Sequence, residues 1–204
     1  MYRMLRTLAC IAMLASTPAL AQGGDAEAGK AKTATCVACH GQTGVSISPA
    51  FPHLAGQVPG FVAAQLKLFQ KGADGGRQNP SMDAFVVGLT EQDMLDIDAF
   101  YSTQVPAVGS ITPEQEELAL AGLPIYRAGH AEYSIPACMG CHGPAGKGIA
   151  PHYPRLSGQP VEYIRTQLLA YKAGERENNI MNDIAFALSA EQIEALATYI
   201  SGLN

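Results

Sequence analysis

Two hexapeptides in this 204-residue chain bring together side chains able to do chemistry: CVACHG at residues 36–41 and CMGCHG at 138–143. In each, cysteines stand three residues apart and a histidine follows the second. On a helical turn the two thiols share one face, about as far apart as two vinyl substituents on a porphyrin rim. The imidazole that follows then faces the macrocycle centre. C-x-x-C-H is a c-type haem attachment signal. Cys36, Cys39, Cys138 and Cys141 are therefore expected to hold two haem c groups through thioethers, with His40 and His142 as axial iron ligands. Disulfides or a thioredoxin-like redox pair would use the cysteines, but neither needs the histidine twice. A zinc site fits less well, because the two pairs are 102 residues apart and zinc knuckles use short spacings.

The sixth iron position decides what such a group does. Left open, it binds small ligands; closed by a thioether, it gives a saturated iron of raised potential. Beyond the leader described below, the methionines are Met82, Met94, Met139 and Met181. Met139 lies between two haem-binding cysteines and cannot reach the opposite face. Met94 occupies a core-facing helical position whose matched residue in the second copy is Ile193, so it is read as packing. Met82 and Met181 occur at matched positions in RQNPSM and RENNIM, 42 and 39 residues past their histidines, and are the expected second axial ligands. The plain alternative is two gap-filling loop methionines. Arg77 and Arg176, five residues before each methionine, are candidate contacts for haem propionates or caps of a surface loop. Asn79 and Asn178 are expected to hydrogen-bond within that loop. His53 would give bis-histidine ligation, but its matched residue is Arg155, so it is expected at the surface with His130 and His152. Pro49 and Pro151, each nine residues past the histidine, are candidates to offer a carbonyl to the imidazole N–H; turn prolines are the competing reading.

The elements that must position these groups are written twice. A shift of 102 residues lays the first motif on the second, FPHLAGQ (51–57) on YPRLSGQ (153–159), and Gln65-Leu66 on Gln167-Leu168. After a three-residue gap near GADGGR the offset is 99, and Arg77, Asn79, Met82 and Leu89-Thr90 meet Arg176, Asn178, Met181 and Leu188-Ser189. Three helical stretches are expected per copy. The first precedes the cysteines. The middle one carries Val62, Leu66 and Phe69, matched by Ile164, Leu168 and Tyr171. The last buries Met94, Ile97 and Tyr101, matched by Ile193, Leu196 and Ile200, with a capping box at Ser189 and Gln192. No hairpin signature interrupts them. The fold class is all-α: two tandem small domains, each expected to wrap around one covalently attached haem. Pro106, Gly109 and Pro113 punctuate the boundary, giving domains at 22–105 and 112–204 with a linker at 106–111. The long Gly- and Pro-rich stretches 41–60 and 143–160 need a buried ligand to complete small cores.

Residues 1–21 read as a cleaved secretory signal peptide, with Arg3 and Arg6 ahead of a short apolar run and Ala19-Leu20-Ala21 as the cleavage site. Cys10 would leave with it. A retained N-terminal anchor is the rival reading. The expected location is the periplasm, and no later segment is long and apolar enough to span a bilayer. The whole chain has 13 basic and 18 acidic residues, net −5; without the two leader arginines 11 face 18, net −7. That balance argues against nucleic acid and suits a basic patch on a protein partner.

Duplicated C-x-x-C-H domains, each followed by an R-x-N-x-x-M stretch, resemble the di-haem cytochrome c4 family across essentially the whole mature chain. The resemblance implies class I cytochrome folds related by a pseudo-twofold axis, with haem propionate edges facing across the interface. It implies an electron carrier and not an enzyme, with redox protein partners: a donor such as a quinol-oxidising complex and an acceptor such as a haem–copper oxidase. Peripheral association with a membrane is compatible with it. The alternatives are a di-haem oxidoreductase of peroxidase or thiosulfate-oxidising type, and a cytochrome subunit of a dehydrogenase complex.

Overall fold

The computed structural model describes residues 23–204; the leader at 1–21, with Cys10, lies outside the described residues. Every regular element among them is helical, and strand-like pairing is limited to three isolated bridges. The first half contains α1 (Ala26–Lys32), α2 (Val37–His40), α3 (Phe61–Lys71), α4 (Pro80–Val86) and α5 (Glu91–Ser102). The second repeats the order with α6 (Glu116–Ala128), α7 (Met139–His142), α8 (Val161–Ala173), α9 (Met181–Ala187) and α10 (Ala190–Ser201).

Local chemistry sets the helix ends. The Asp25 carboxylate accepts from the Glu27 and Ala28 N–H groups to start α1, and Asn79 accepts from Ser81 ahead of Pro80 to start α4. Thr90 with Asp93 and Ser189 with Gln192 form matched capping boxes on α5 and α10. Gly41 and Gly143, at φ of +76° and +80°, end the motif helices directly after the histidines, a backbone state that favours glycine.

In each half the first and last helices cross at a glycine. A Cβ on Gly29 would stand 1.9 Å from the Asp96 carbonyl oxygen, and one on Gly122 would stand 2.2 Å from that of Ala195, the residue matched to Asp96. One core gathers Val62, Leu66, Phe69, Val86, Ile97 and Tyr101; the other gathers Tyr126, Ile164, Leu168, Ile193, Leu196 and Ile200. Residues such as Ile193 and Leu196, each 1 % exposed, contribute roughly 1.5–3 kcal/mol apiece through burial.

Five helices per half replace the three expected. The missing pairs are α2 with α7 and α4 with α9, of four and seven residues, too short to show an apolar period. The extra residues of the first copy wind into a 3₁₀ turn at Gly72–Gly75.

Candidate functional site

Each C-x-x-C-H motif forms a single helical turn with its histidine buried: His40 is 6 % exposed and His142 8 %. The His40 Nδ1 lies 3.0 Å from the Pro52 carbonyl, and the His142 Nδ1 lies 3.0 Å from that of Pro154. A carbonyl only accepts, so Nδ1 carries the proton and Nε2 keeps a lone pair for a ligand. Burial lowers both imidazole pKa values, with the carbonyl bonds opposing it, which keeps the rings in the neutral, ligating form. The carbonyls come from Pro52 and Pro154 and not from the expected Pro49 and Pro151. The latter two sit exposed in the turn three residues earlier, too far around the loop to face the ring.

The four motif cysteines are half-buried, and none is paired among the described residues. Burial raises the Cys36 thiol and pushes that of Cys138 up to about 11. Among the described residues no three His, Cys, Asp or Glu side chains converge as a metal-binding group. The zinc and disulfide readings thus find no geometry.

Met82 and Met181 are not loop residues. Met82 is the third residue of α4 and Met181 opens α9, each half-buried against the core of its own half, the core on which Cys36 and Cys138 respectively also pack. Asn79 and Asn178 hold these helix starts: Asn178 accepts from the Ile180 and Met181 N–H groups at 3.1 and 2.9 Å. A second tie reaches each methionine helix from the middle helix. Gln70 donates to the Val86 and Leu89 carbonyls at 3.0 and 2.8 Å, and its matched residue Lys172 donates to those of Phe186 and Leu188 at 2.6 and 2.8 Å.

Arg77 and Arg176 meet across the two halves as an antiparallel bridge, each 9 % exposed. Arg77 donates to Gln65 and stacks 4.1 Å over Phe69; Arg176 donates to Gln167 and Gln65 at 2.6 and 3.0 Å and lies 4.6 Å over Tyr171. Neither has a carboxylate partner among the described residues. Burial, together with the charge of Arg176, pushes the Arg77 guanidinium down to about 10. Burial raises the Tyr163 phenol, yet the two guanidinium charges and their hydrogen bonds outweigh it and draw it below its ordinary value. Two buried cations without an anion call for acidic groups from a ligand. Half-buried thiols one turn apart, an imidazole with a free Nε2, a thioether on the same core and this guanidinium pair are a donor set suited to haem c.

His53 is not a free surface residue. It is half-buried, its Nδ1 accepts the Ser46 N–H at 2.9 Å, and its main chain takes part in the contact between halves. His130 packs 4.7 Å from Tyr133, and His152 is exposed. Sequence reading missed Pro52, Pro154, Gln57 and Gln159. Their signal was present: proline and Gly-Gln occupy identical places in both copies without any core position requiring them.

A family model described as Cytochrome c matches residues 127–204. A cytochrome c4 of Azotobacter vinelandii is 40% identical over 192 residues, covering 89% of this chain and 90% of that protein. A thiosulfate dehydrogenase electron acceptor of Stutzerimonas stutzeri is 33% identical over 177 residues, 83% of this chain and 79% of the relative. The crystal structure of reduced recombinant cytochrome c4 from Pseudomonas stutzeri superposes with a TM-score of 0.84 at 40% identity, covering 89% of this chain and all of that one.

Proposed function

We propose, from the premise that this chain belongs to the cytochrome c4 family, which pair of residues closes each of its iron centres and where its electrons go. It is a di-haem electron-transfer protein with one C-x-x-C-H site per half and redox protein partners. In our reading His40 with Met82 and His142 with Met181 are the axial pairs, and the domains run over 22–105 and 112–204. Each haem, when bound, supplies a one-electron Fe(II)/Fe(III) couple. The chain's own residues do the rest. Cys36, Cys39, Cys138 and Cys141 fix the macrocycle rims, and the Pro52 and Pro154 carbonyls orient the imidazoles. Arg77 and Arg176 answer the propionates at the seam between halves. Ligands held by packed helices keep their places in both oxidation states, so little reorganises on transfer.

The observation that carries this reading is the imidazole with Nδ1 committed and Nε2 free, present in both copies. The proposed setting is the periplasm after loss of residues 1–21. The donor is a quinol-oxidising complex and the acceptor a haem–copper oxidase, met through weak, salt-sensitive docking of an acidic surface. A second route has its own support: the thiosulfate dehydrogenase electron acceptor at 33% identity favours a sulfur-oxidising donor upstream of the same two sites. Met82→Ala is expected to abolish the Met–Fe(III) charge-transfer band of one centre and Met181→Ala that of the other. An unchanged band in either variant removes that ligand assignment. Kinetics of reduction by thiosulfate dehydrogenase and of oxidation by a haem–copper oxidase separate the two routes.

A further inference from the structure

The contact between halves contains two amide side chains used in a particular way. Gln159 accepts from the His53 N–H at 2.9 Å and donates to the His53 carbonyl at 2.7 Å. Its matched residue Gln57 accepts from the Arg155 N–H at 2.6 Å and donates to the Arg155 carbonyl at 3.1 Å. Both glutamines are 5 % exposed. The His53 N–H belongs to the same planar peptide group as the Pro52 carbonyl, and the Arg155 N–H to the same group as that of Pro154. Those are the two carbonyls that accept from the imidazoles of His40 and His142. A chain of hydrogen bonds therefore runs from each imidazole, through one peptide group, to a glutamine of the opposite half.

We propose that Gln159 and Gln57 are positioning residues that set the basicity of the axial imidazole in the half they do not belong to. The inference rests on the reading of His40 and His142 as axial ligands. An acceptor at the peptide N–H draws electron density onto that peptide's carbonyl oxygen, which makes it a stronger acceptor for the imidazole proton. A more strongly held Nδ1–H gives the ring more imidazolate character and makes Nε2 a better donor, which favours Fe(III) over Fe(II). A clamp serving docking alone could grip any exposed peptide. Both copies grip the one peptide per half that also holds the imidazole.

The test uses the holoprotein labelled with ¹⁵N-histidine. In the reduced state, Gln159→Met should move the Nδ1–H resonance of His40 upfield and leave that of His142 in place; Gln57→Met should do the reverse. In redox titrations Gln159→Met should shift the oxidised/reduced ratio of the N-terminal centre about threefold toward reduced, about 30 mV at 59 mV per tenfold for one electron. Gln159→Asn, which lengthens both bonds, should give a smaller shift of the same sign if the methionine variant accumulates poorly. A change confined to the mutated half, an equal change at both centres, or no change overturns the inference. Hyperfine-shifted His40 and His142 resonances in the oxidised parent protein test the ligand reading separately. If they are present while the Nδ1–H resonances stay fixed, the relay alone falls; if they are absent, the ligand assignment falls with it.

Discussion

Removal of one carboxylate should loosen the N-terminal centre and leave the other intact. Asp98, on α5 and 6 % exposed, accepts from the Gly60, Val62 and Ala63 N–H groups at 2.7, 2.8 and 3.2 Å. These are the unpaired donors at the start of α3, where no side chain of the helix itself caps them. In Asp98→Ala, water reaches Gly60, which is half-exposed, but Val62 and Ala63 are buried. Two stranded buried donors at about 1.5 kcal/mol each put the cost near 3 kcal/mol. Asp98→Asn keeps the oxygen that serves Val62 and Ala63 and loses the charge and the oxygen that serves the water-reachable Gly60, so about half that cost is expected. With a slope near 2 kcal/mol per molar urea, the first unfolding midpoint should fall by about 1.5 M in Asp98→Ala. The matched residue in the other half is Ala197, so its transition should not move. Because α3 carries Gln70, which ties down α4, the charge-transfer band assigned to Met82 should vanish in the same transition. The assay is urea titration of the holoprotein followed by far-ultraviolet circular dichroism and by that band. A single unshifted transition, or equal losses in the alanine and asparagine variants, would refute the reasoning.

Gly29→Ala and Gly122→Ala should each destabilise one half, by about 1–3 kcal/mol or more, because the new methyl meets a main-chain carbonyl and not a movable side chain; paired calorimetric scans should show the lower transition moving for the altered half only. Acid should act more strongly on the first half. Asp96 is drawn down to about 2, first by the Asp25 N–H and then by Lys32 and Gln92, and Lys32 with Thr90 lowers Asp93 further. A depressed carboxylate stabilises the fold above its unfolded pKa near 4 and loses that contribution as the pH falls through its folded value. The N-terminal half should therefore weaken between about pH 4 and pH 2. The second half has Ala195 and Gln192 at these positions; its lowered carboxylates Glu114, Glu162 and Glu191 answer to Thr112, Arg165 and helix-start groups, so dichroism should show a smaller loss there.

Much of this architecture was legible because duplication supplied its own check. Helical period and a repeated cap located α3, α5, α8 and α10, and Met94 could be set aside because Ile stands in its place. What escaped was written in the main chain. Pro52 and Pro154 act through carbonyls, and His53 and Arg155 differ in side chain while doing the same work through identical peptide groups. A side-chain comparison reads that pair as a mismatch. Arg77 and Arg176 were legible as a recurring pair, but their meeting across the seam depends on how the halves fold together, which no spacing along the chain encodes.

The glycine crossings fasten the opening helix of each half to its closing one, across 67 residues between Gly29 and Asp96 and 73 between Gly122 and Ala195. So distant a contact is slow to form, since the intervening loop entropy must be met before the contact rewards it. A polypeptide that emerges N-terminus first cannot latch its leading half until α5 has followed. Through that interval its two thiols and imidazole stand on an unclosed chain, still open to reagents in solution.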